Sequence, residues 1–263
     1  MSGRNVLLET NARIVVAHRG ASSEAPENTL PAFERAVACG ADALEMDVHV
    51  TADGVPVVIH DATLDRTTSG SGSVAALTLA QVREADAGAR FTPDGSSWPF
   101  RGRGVQVPTL VEVLRAVPYL PFVIEIKSRA AQHAVRRVLL EQDAAARCLV
   151  ASFDAAALAA LREPPFMIGA TRTDVARLCV GAPFGFAPAH PAYEAIFTPL
   201  YYGALRVVTK AFLALANRIA RPVHVWTVDD VAVAAQLWRE GATGIVTNTP
   251  ARMVAQREEM GPG

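Results

Sequence analysis

The chain has 263 residues, 51% of them hydrophobic, and its 25 Lys and Arg against 26 Asp and Glu leave a formal net charge of −1. That length and apolar content suit one large α/β domain over 1–263 better than two small ones. The balanced charge and the lack of a dense Lys/Arg tract argue against nucleic acid as a partner.

The chain opens with MSGRNVLLETNARIVVAHRG, whose apolar run is broken by Glu9, Asn11 and Arg13, so no export signal is expected. No apolar run approaches membrane-spanning length, and the expectation is a cytoplasmic protein. Cys39, Cys148 and Cys179 are far apart and odd in number, which suits neither a disulfide framework nor a zinc site. They are read as reduced, mostly packed thiols.

The first predicted strand is IVVAH, residues 14–18. Thr29, with Pro31 in the first turn, is placed to cap a helix over LPAFERAVAC, and Gly40 stands where a glycine ends one. ALEMDV (43–48) and VPVVIH (55–60) follow as strands. Residues 61–107 are too long for an ordinary connection and are predicted to form an insertion after the third strand, with a short helix begun by a Thr78/Gln81 capping box. Thr109 with Glu112 reads as a second capping box. PFVIEIK (121–127), RCLVAS (147–152), FMIGA (166–170), PVHVWTV (222–228) and TGIVTN (243–248) bring the strands to eight. The stretch 195–209, AIFTPLYYGALRVVT, holds one or two further short candidates, which leaves closure of the sheet open. Strands alternating with alanine-rich helical patterns mark a parallel sheet, and a (β/α)8 barrel fits best.

Side chains alternate faces along a strand, so Glu45 and Asp47 share one face and Glu125 and Lys127 share another. Parallel strands are covered on both sides, so paired acids there require a cation, a metal or protonation. His18 and His60 each close an apolar strand, and together with the carboxylates they are expected at the carboxyl ends of the strands, where barrel enzymes build their sites. Three carboxylates suit a hard divalent cation, Mg2+ or Ca2+, rather than zinc. With Arg19 and Lys127 added, the site is suited to the charge of a phosphate in its transition state, and two histidines can serve as base and acid. Asp61 is expected to cap the next turn rather than orient His60. The SGSGS at 69–73 follows no strand and opens no helix, so it reads as flexible loop.

In order along the chain, AHRG, PENTLPAF, ALEMDVHVTADGVPVVIHDATLDRTTSGSG, VPTLVEVL, IEIK, ASFD, VHVWTVDD and GIVTNTP resemble the motifs of the glycerophosphodiester phosphodiesterase family over nearly the whole chain. The resemblance implies a (β/α)8 TIM barrel of the phospholipase-C-like type, with a small insertion after the third strand. It implies that Glu45, Asp47 and Glu125 hold the divalent cation, that His18 and His60 are the acid/base pair, and that Arg19 and Lys127 contact phosphate. Glu27 and Asn28 would line or brace the site, against a competing role in helix entry. Trp226 would lie near the glycerol or alcohol part of the substrate, against a competing role in the core. Two positions depart from the family pattern: Asn248 stands where Asp is usual, and Asp229 where Asn is common. The Phe-, Tyr- and Pro-rich segment 182–205 matches only loosely and is the expected seat of substrate selectivity. The implied activity is metal-dependent hydrolysis of small-molecule glycerophosphodiesters to sn-glycerol 3-phosphate and an alcohol. The rivals are a lysophospholipase D or other lipid phosphodiesterase, and a non-catalytic phosphate-binding barrel. Oligomeric state is left open.

Overall fold

The structure, a computed structural model, describes residues 5–261. Its elements in chain order are β1 (Ile14–His18), α1 (Leu30–Ala38), β2 (Ala43–Val50), β3 (Pro56–Val58), α2 (Leu79–Val82), α3 (Leu110–Ala116), β4 (Phe122–Ile126), α4 (Gln132–Glu141), β5 (Cys148–Ala151), β6 (Met167–Ile168) and α5 (Arg172–Gly181). They continue with β7 (Ile196–Pro199), β8 (Tyr201–Tyr202), β9 (Leu205–Arg206), α6 (Lys210–Arg218), β10 (Val223–Trp226), α7 (Val231–Glu240), β11 (Gly244–Thr247) and α8 (Pro250–Glu259).

Eight strands among the described residues run parallel in the order β6-β5-β4-β2-β1-β11-β10-β7. A parallel bridge between Gly169 and Ala195 joins the two outer strands and closes the ring. The (β/α)8 barrel is therefore as expected, but its staves are not all the expected ones. VPVVIH forms β3, which pairs antiparallel with β2 through Val48–Val58 and Val50–Pro56. The missing stave is β7, in the segment left ambiguous by sequence. An apolar β-branched run looks the same whether it continues a barrel or folds back as a hairpin, which is why sequence misassigned it. The expected insertion does follow the third strand in chain order, between two barrel staves.

Inward parity runs through Ile14, Val16 and His18 on β1, Ala43, Glu45 and Asp47 on β2, and Val123 and Glu125 on β4, as the register pairs His18–Glu45 and Asp47–Glu125 require. The lower residues of this set pack with Leu7, Leu149, Ala195 and Val246 into an apolar plug inside the barrel. Leu7 comes from a 3-10 turn, Val6–Leu8, capped by Asn5. The buried His224 on β10 donates from Nε2 to the Leu7 carbonyl (2.9 Å) and stacks on Phe197. Gly244 is required beside it, because a Cβ there would meet His224 Nδ1 at 2.2 Å.

Outside the staves, a larger core including fully buried Phe33, Phe122 and Phe212 fills the space under the helices. Each such side chain contributes roughly 2–3 kcal/mol. Both predicted capping boxes form, Thr78/Gln81 on α2 and Thr109/Glu112 on α3. Thr29 is the N-cap of α1 but its hydroxyl donates to the Pro26 carbonyl, so it makes no side-chain cap. Gly40 follows the C-cap with φ +82°, as expected. Residues 61–107 carry α2 and, with β3, a small core of their own that includes Val57, Ile59, Leu64, Val74, Val82 and Val107. All three cysteines are free, with Cys148 buried. No helix among the described residues is long and apolar enough to cross a membrane.

Candidate active site

The polar upper ends of the inward-facing rows meet at the carboxyl ends of β1, β2 and β4. Glu45, Asp47 and Glu125 each present a carboxylate oxygen within 4.8 Å of the others. Asp47 is 1% exposed. Lys127 Nζ bridges Asp47 Oδ1 (2.9 Å) and Glu125 Oε1 (2.8 Å), and Arg19 Nε lies 3.1 Å from Asp47 Oδ2. The Arg19 contact is an ion pair by distance, without hydrogen-bond alignment. Asn28 clamps the same aspartate twice, donating from Nδ2 to Asp47 Oδ2 (2.8 Å) and accepting the Asp47 backbone N–H.

Burial raises a carboxyl pKa and cations lower it, and the three acids divide accordingly. Burial, then the charges of Asp47 and Glu125, push Glu45 well above the usual carboxylate range. Burial also acts on Asp47, but Lys127 and Arg19 outweigh it and hold that carboxyl low. Glu125 is raised by burial, with Lys127 offsetting part of the effect. Lys127 is itself raised, because its two carboxylate partners overcome its burial.

His18 Nε2 faces Glu45 Oε2 at 4.0 Å, and its Nδ1 is 2.7 Å from Asn248 Oδ1. Burial, followed by the Arg19 charge, lowers its pKa. The chain turns sharply after it: Arg19 and Gly20 both have positive φ, and a Cβ at Gly20 would strike the Ala32 backbone at 2.6 Å. That turn lets the Arg19 N–H donate to Glu45 Oε2 at 3.0 Å.

His60 reaches the site differently from the expected strand end. The β2–β3 hairpin rises past the mouth and returns, with the Ile59 N–H on the Asp47 carbonyl, so His60 is folded back beside the carboxylates. Its Nδ1 is 2.6 Å from Asp61 Oδ1. Asp61 thus turns to His60 instead of capping a turn, and Arg66 binds the same carboxylate through Nε (2.7 Å) and Nη2 (2.9 Å). Arg66 also pairs with both oxygens of Glu27, which in turn accepts from Arg19 Nη1 (2.9 Å). Glu27 is held below the usual range because Arg66 and Arg19 outweigh its burial, and Arg66 drives Asp61 low as well. Glu27 is thus held by two arginines, while Asn28 is held by Asp47.

Trp226 ends β10 across the mouth, where its ring meets Phe153 edge-on with centroids 5.7 Å apart. It lines a cavity of about 440 Å³ with Pro199, Leu200, Tyr201, Val228 and Asp229. It also packs on the apolar plug below, as its expected core role requires. Asp61, Arg66, Asn248 and Asp229 were missed as site residues. Arg66 sits in a loop 39 residues from its partner Glu27, and no local pattern announces such a pair.

The sequence profile of the glycerophosphoryl diester phosphodiesterase family matches residues 18–252. The chain is 30% identical over 250 residues to the glycerophosphodiester phosphodiesterase of Caldanaerobacter subterraneus subsp. tengcongensis, covering 92% of this chain and 96% of that one. Among solved structures it is similar to a glycerophosphodiester phosphodiesterase from Agrobacterium tumefaciens, with TM-score 0.77, 26% identity and coverage of 92% and 99%. The same fold occurs in an Oleispira antarctica phosphodiesterase in complex with the product sn-glycerol-3-phosphate, with TM-score 0.73, 24% identity and coverage of 93% and 96%.

Proposed function

The chain belongs to the glycerophosphoryl diester phosphodiesterase family of phosphoric diester hydrolases, and from that premise we propose that it hydrolyses glycerophosphodiesters to sn-glycerol 3-phosphate and an alcohol, with a divalent cation held by Glu45, Asp47 and Glu125. The observation that carries the proposal is the meeting of three carboxylates, two histidines and two phosphate-seeking cations at one barrel mouth. An all-oxygen donor set fits Mg2+ or Ca2+. Burial, together with the neighbouring charges of Asp47 and Glu125, raises Glu45, which fits a site tuned to a cation beyond Lys127 and Arg19. When bound, that cation supplies Lewis-acid stabilisation of charge on a phosphoryl oxygen.

The chain's own groups do the rest. Arg19 and Lys127 bind the non-bridging phosphoryl oxygens, and their carboxylate contacts fix where those cations stand before substrate arrives. His18 and His60 transfer the two protons of the reaction, one taken from the nucleophile, either water or the glycerol 2-hydroxyl whose cyclic phosphate water then opens, and one given to the leaving oxygen. Glu27, Arg66 and Asp61 form a continuous ionic strap from Arg19 to His60, holding the two histidine-bearing loops at a fixed separation. Trp226 flanks the position of the alcohol.

A lipid phosphodiesterase is the second reading, supported by exposed Phe153, Tyr201, Tyr202 and Leu205 on the Trp226 side of the mouth. Hydrolysis of glycerophosphocholine and of lysophosphatidylcholine should be compared under one set of conditions. Faster release of choline from glycerophosphocholine is expected, and strong preference for the lysolipid would replace the first reading with the second.

A further inference from the structure

Asn248 and Asp229 are joined by two hydrogen bonds, and the same asparagine reaches His18. Asn248 directly follows the barrel's last stave, β11, which lies beside β1. Its Nδ2 donates to Asp229 Oδ2 at 2.7 Å, and its backbone N–H donates to Asp229 Oδ1 at 2.7 Å. Thr247 Oγ1 donates to the same Oδ1 at 2.8 Å, so three donors hold this carboxylate. On the other side, Asn248 Oδ1 lies 2.7 Å from His18 Nδ1 and 2.9 Å from Ser22 Oγ, whose single hydrogen is shared with the His18 carbonyl, also at 2.9 Å.

A carboxylate can only accept, so the amide must turn its NH2 toward Asp229 and its oxygen toward His18. An amide oxygen can only accept, so His18 Nδ1 must carry a hydrogen. A neutral imidazole with its hydrogen on Nδ1 has its lone pair on Nε2, and Nε2 is the nitrogen that faces Glu45 and the carboxylate cluster.

We propose that Asp229 is a positioning residue for the reaction: through the Asn248 amide it fixes His18 as the Nδ1–H tautomer, with the Nε2 lone pair aimed into the site as the proton acceptor. His60 is then left to protonate the leaving oxygen. Without the Asp229 carboxylate the amide of Asn248 can rotate, present NH2 to His18, and select the opposite tautomer. The proposal rests on the phosphodiesterase reading for its catalytic consequence, whereas the tautomer itself is independent of any activity.

The test combines nitrogen-15 NMR of histidine with kinetics on glycerophosphocholine. In the wild-type chain at neutral pH, long-range couplings should identify His18 as the Nδ1–H form, and Asp229→Ala should add or substitute the Nε2–H form. Asp229→Ala should lower kcat by roughly 10²-fold, within the range supplied by a positioned base, with KM nearly unchanged. Asn248→Asp alone should also be impaired, since it places two carboxylates against each other. The exchange variant Asn248→Asp with Asp229→Asn restores an amide–carboxylate pair and an acceptor for His18 Nδ1, and should recover most of kcat. Melting temperatures check the fold of every variant, and the exchange variant decides the matter even if Asp229→Ala folds poorly. An Nε2–H His18 in the wild type, or an exchange variant as slow as the product of the two single losses, would overturn the proposal. If the wild type releases no glycerol 3-phosphate while His18 shows the Nδ1–H form that shifts in Asp229→Ala, the positioning stands and the reaction assignment fails.

Discussion

The mouth of the barrel has two unlike halves. Over β1, β2, β4 and β11 the inward row ends in His18, Glu45, Asp47, Glu125 and Asn248, tied together by ion pairs and hydrogen bonds. Over β5, β7 and β10 the rim is apolar, with Trp226 against Phe153, and the short β8–β9 hairpin carries exposed Tyr201, Tyr202 and Leu205 beyond it. The same alternation of side chains builds both. What differs is the energetic logic: in the polar half the charges of Asp47, Glu125 and Lys127 are tolerable because partners are fixed within about 3 Å, while the apolar half asks only for surface to be covered. The first half is therefore sensitive to single atoms, and the second to shape and area.

The sharpest way to break this contrast is to remove a proton carrier. His18→Ala and His60→Ala should each cut kcat by about 10³-fold or more while leaving the circular dichroism spectrum native, since both rings are partly exposed at the mouth. A residual rate within tenfold of wild type would show that the polar half is not the reaction centre.

Below the apolar half, the buried His224 makes stability depend on pH. Burial lowers its pKa from the usual imidazole value of 6.5 to about 4. A base with a depressed folded pKa contributes stability that is present above its unfolded pKa and is lost as pH falls. The loss should therefore begin below about pH 6.5 and level off near pH 4, amounting at most to roughly 3 kcal/mol. Urea unfolding between pH 7 and 4 measures it, and His224→Gln should flatten that part of the curve.

Glu45→Gln should act in two directions. Because the folded pKa of Glu45 is raised, its contribution to stability is present below the unfolded carboxyl pKa and is lost as pH rises through the higher folded value. At neutral pH, without divalent cation, the glutamine variant should melt a few degrees higher than wild type, while its cation-dependent protection disappears. Thermal scans with and without Mg2+ or Ca2+ read both effects.

The smallest effects belong to the rim. Tyr202→Ala, at a residue 70% exposed, should change stability by less than about 0.5 kcal/mol. Trp226→Ala should raise KM more for bulky apolar alcohols than for glycerophosphoglycerol, with kcat altered less; an equal loss in kcat for all substrates would place Trp226 in the polar machinery instead.

The polar half was the more legible in sequence. Strand parity alone paired Glu45 with Asp47 and Glu125 with Lys127, because a period of two leaves no freedom in which face a residue takes. Short-range rules also held where the partners are three residues apart, as at Thr78 with Gln81 and Thr109 with Glu112. Legibility stopped where geometry depends on how distant segments meet. β3 turned out to be a returning hairpin, and β7 the stave, because pairing direction leaves no mark in a short apolar run. Asp61 read as a turn former, since its preference for His60 depends on Arg66 closing over it. Asn248 and Asp229 stood out only as departures from a family pattern, 19 residues apart, until the fold brought amide and carboxylate together.

The most direct test of the central claim is glycerol 3-phosphate release from glycerophosphocholine, measured after thorough chelation and again after adding Mg2+ or Ca2+. Loss of release on chelation and its return with the cation, with no return in Glu45→Gln, is the predicted result. Release unaffected by chelation would contradict the assignment of Glu45, Asp47 and Glu125 as the cation site.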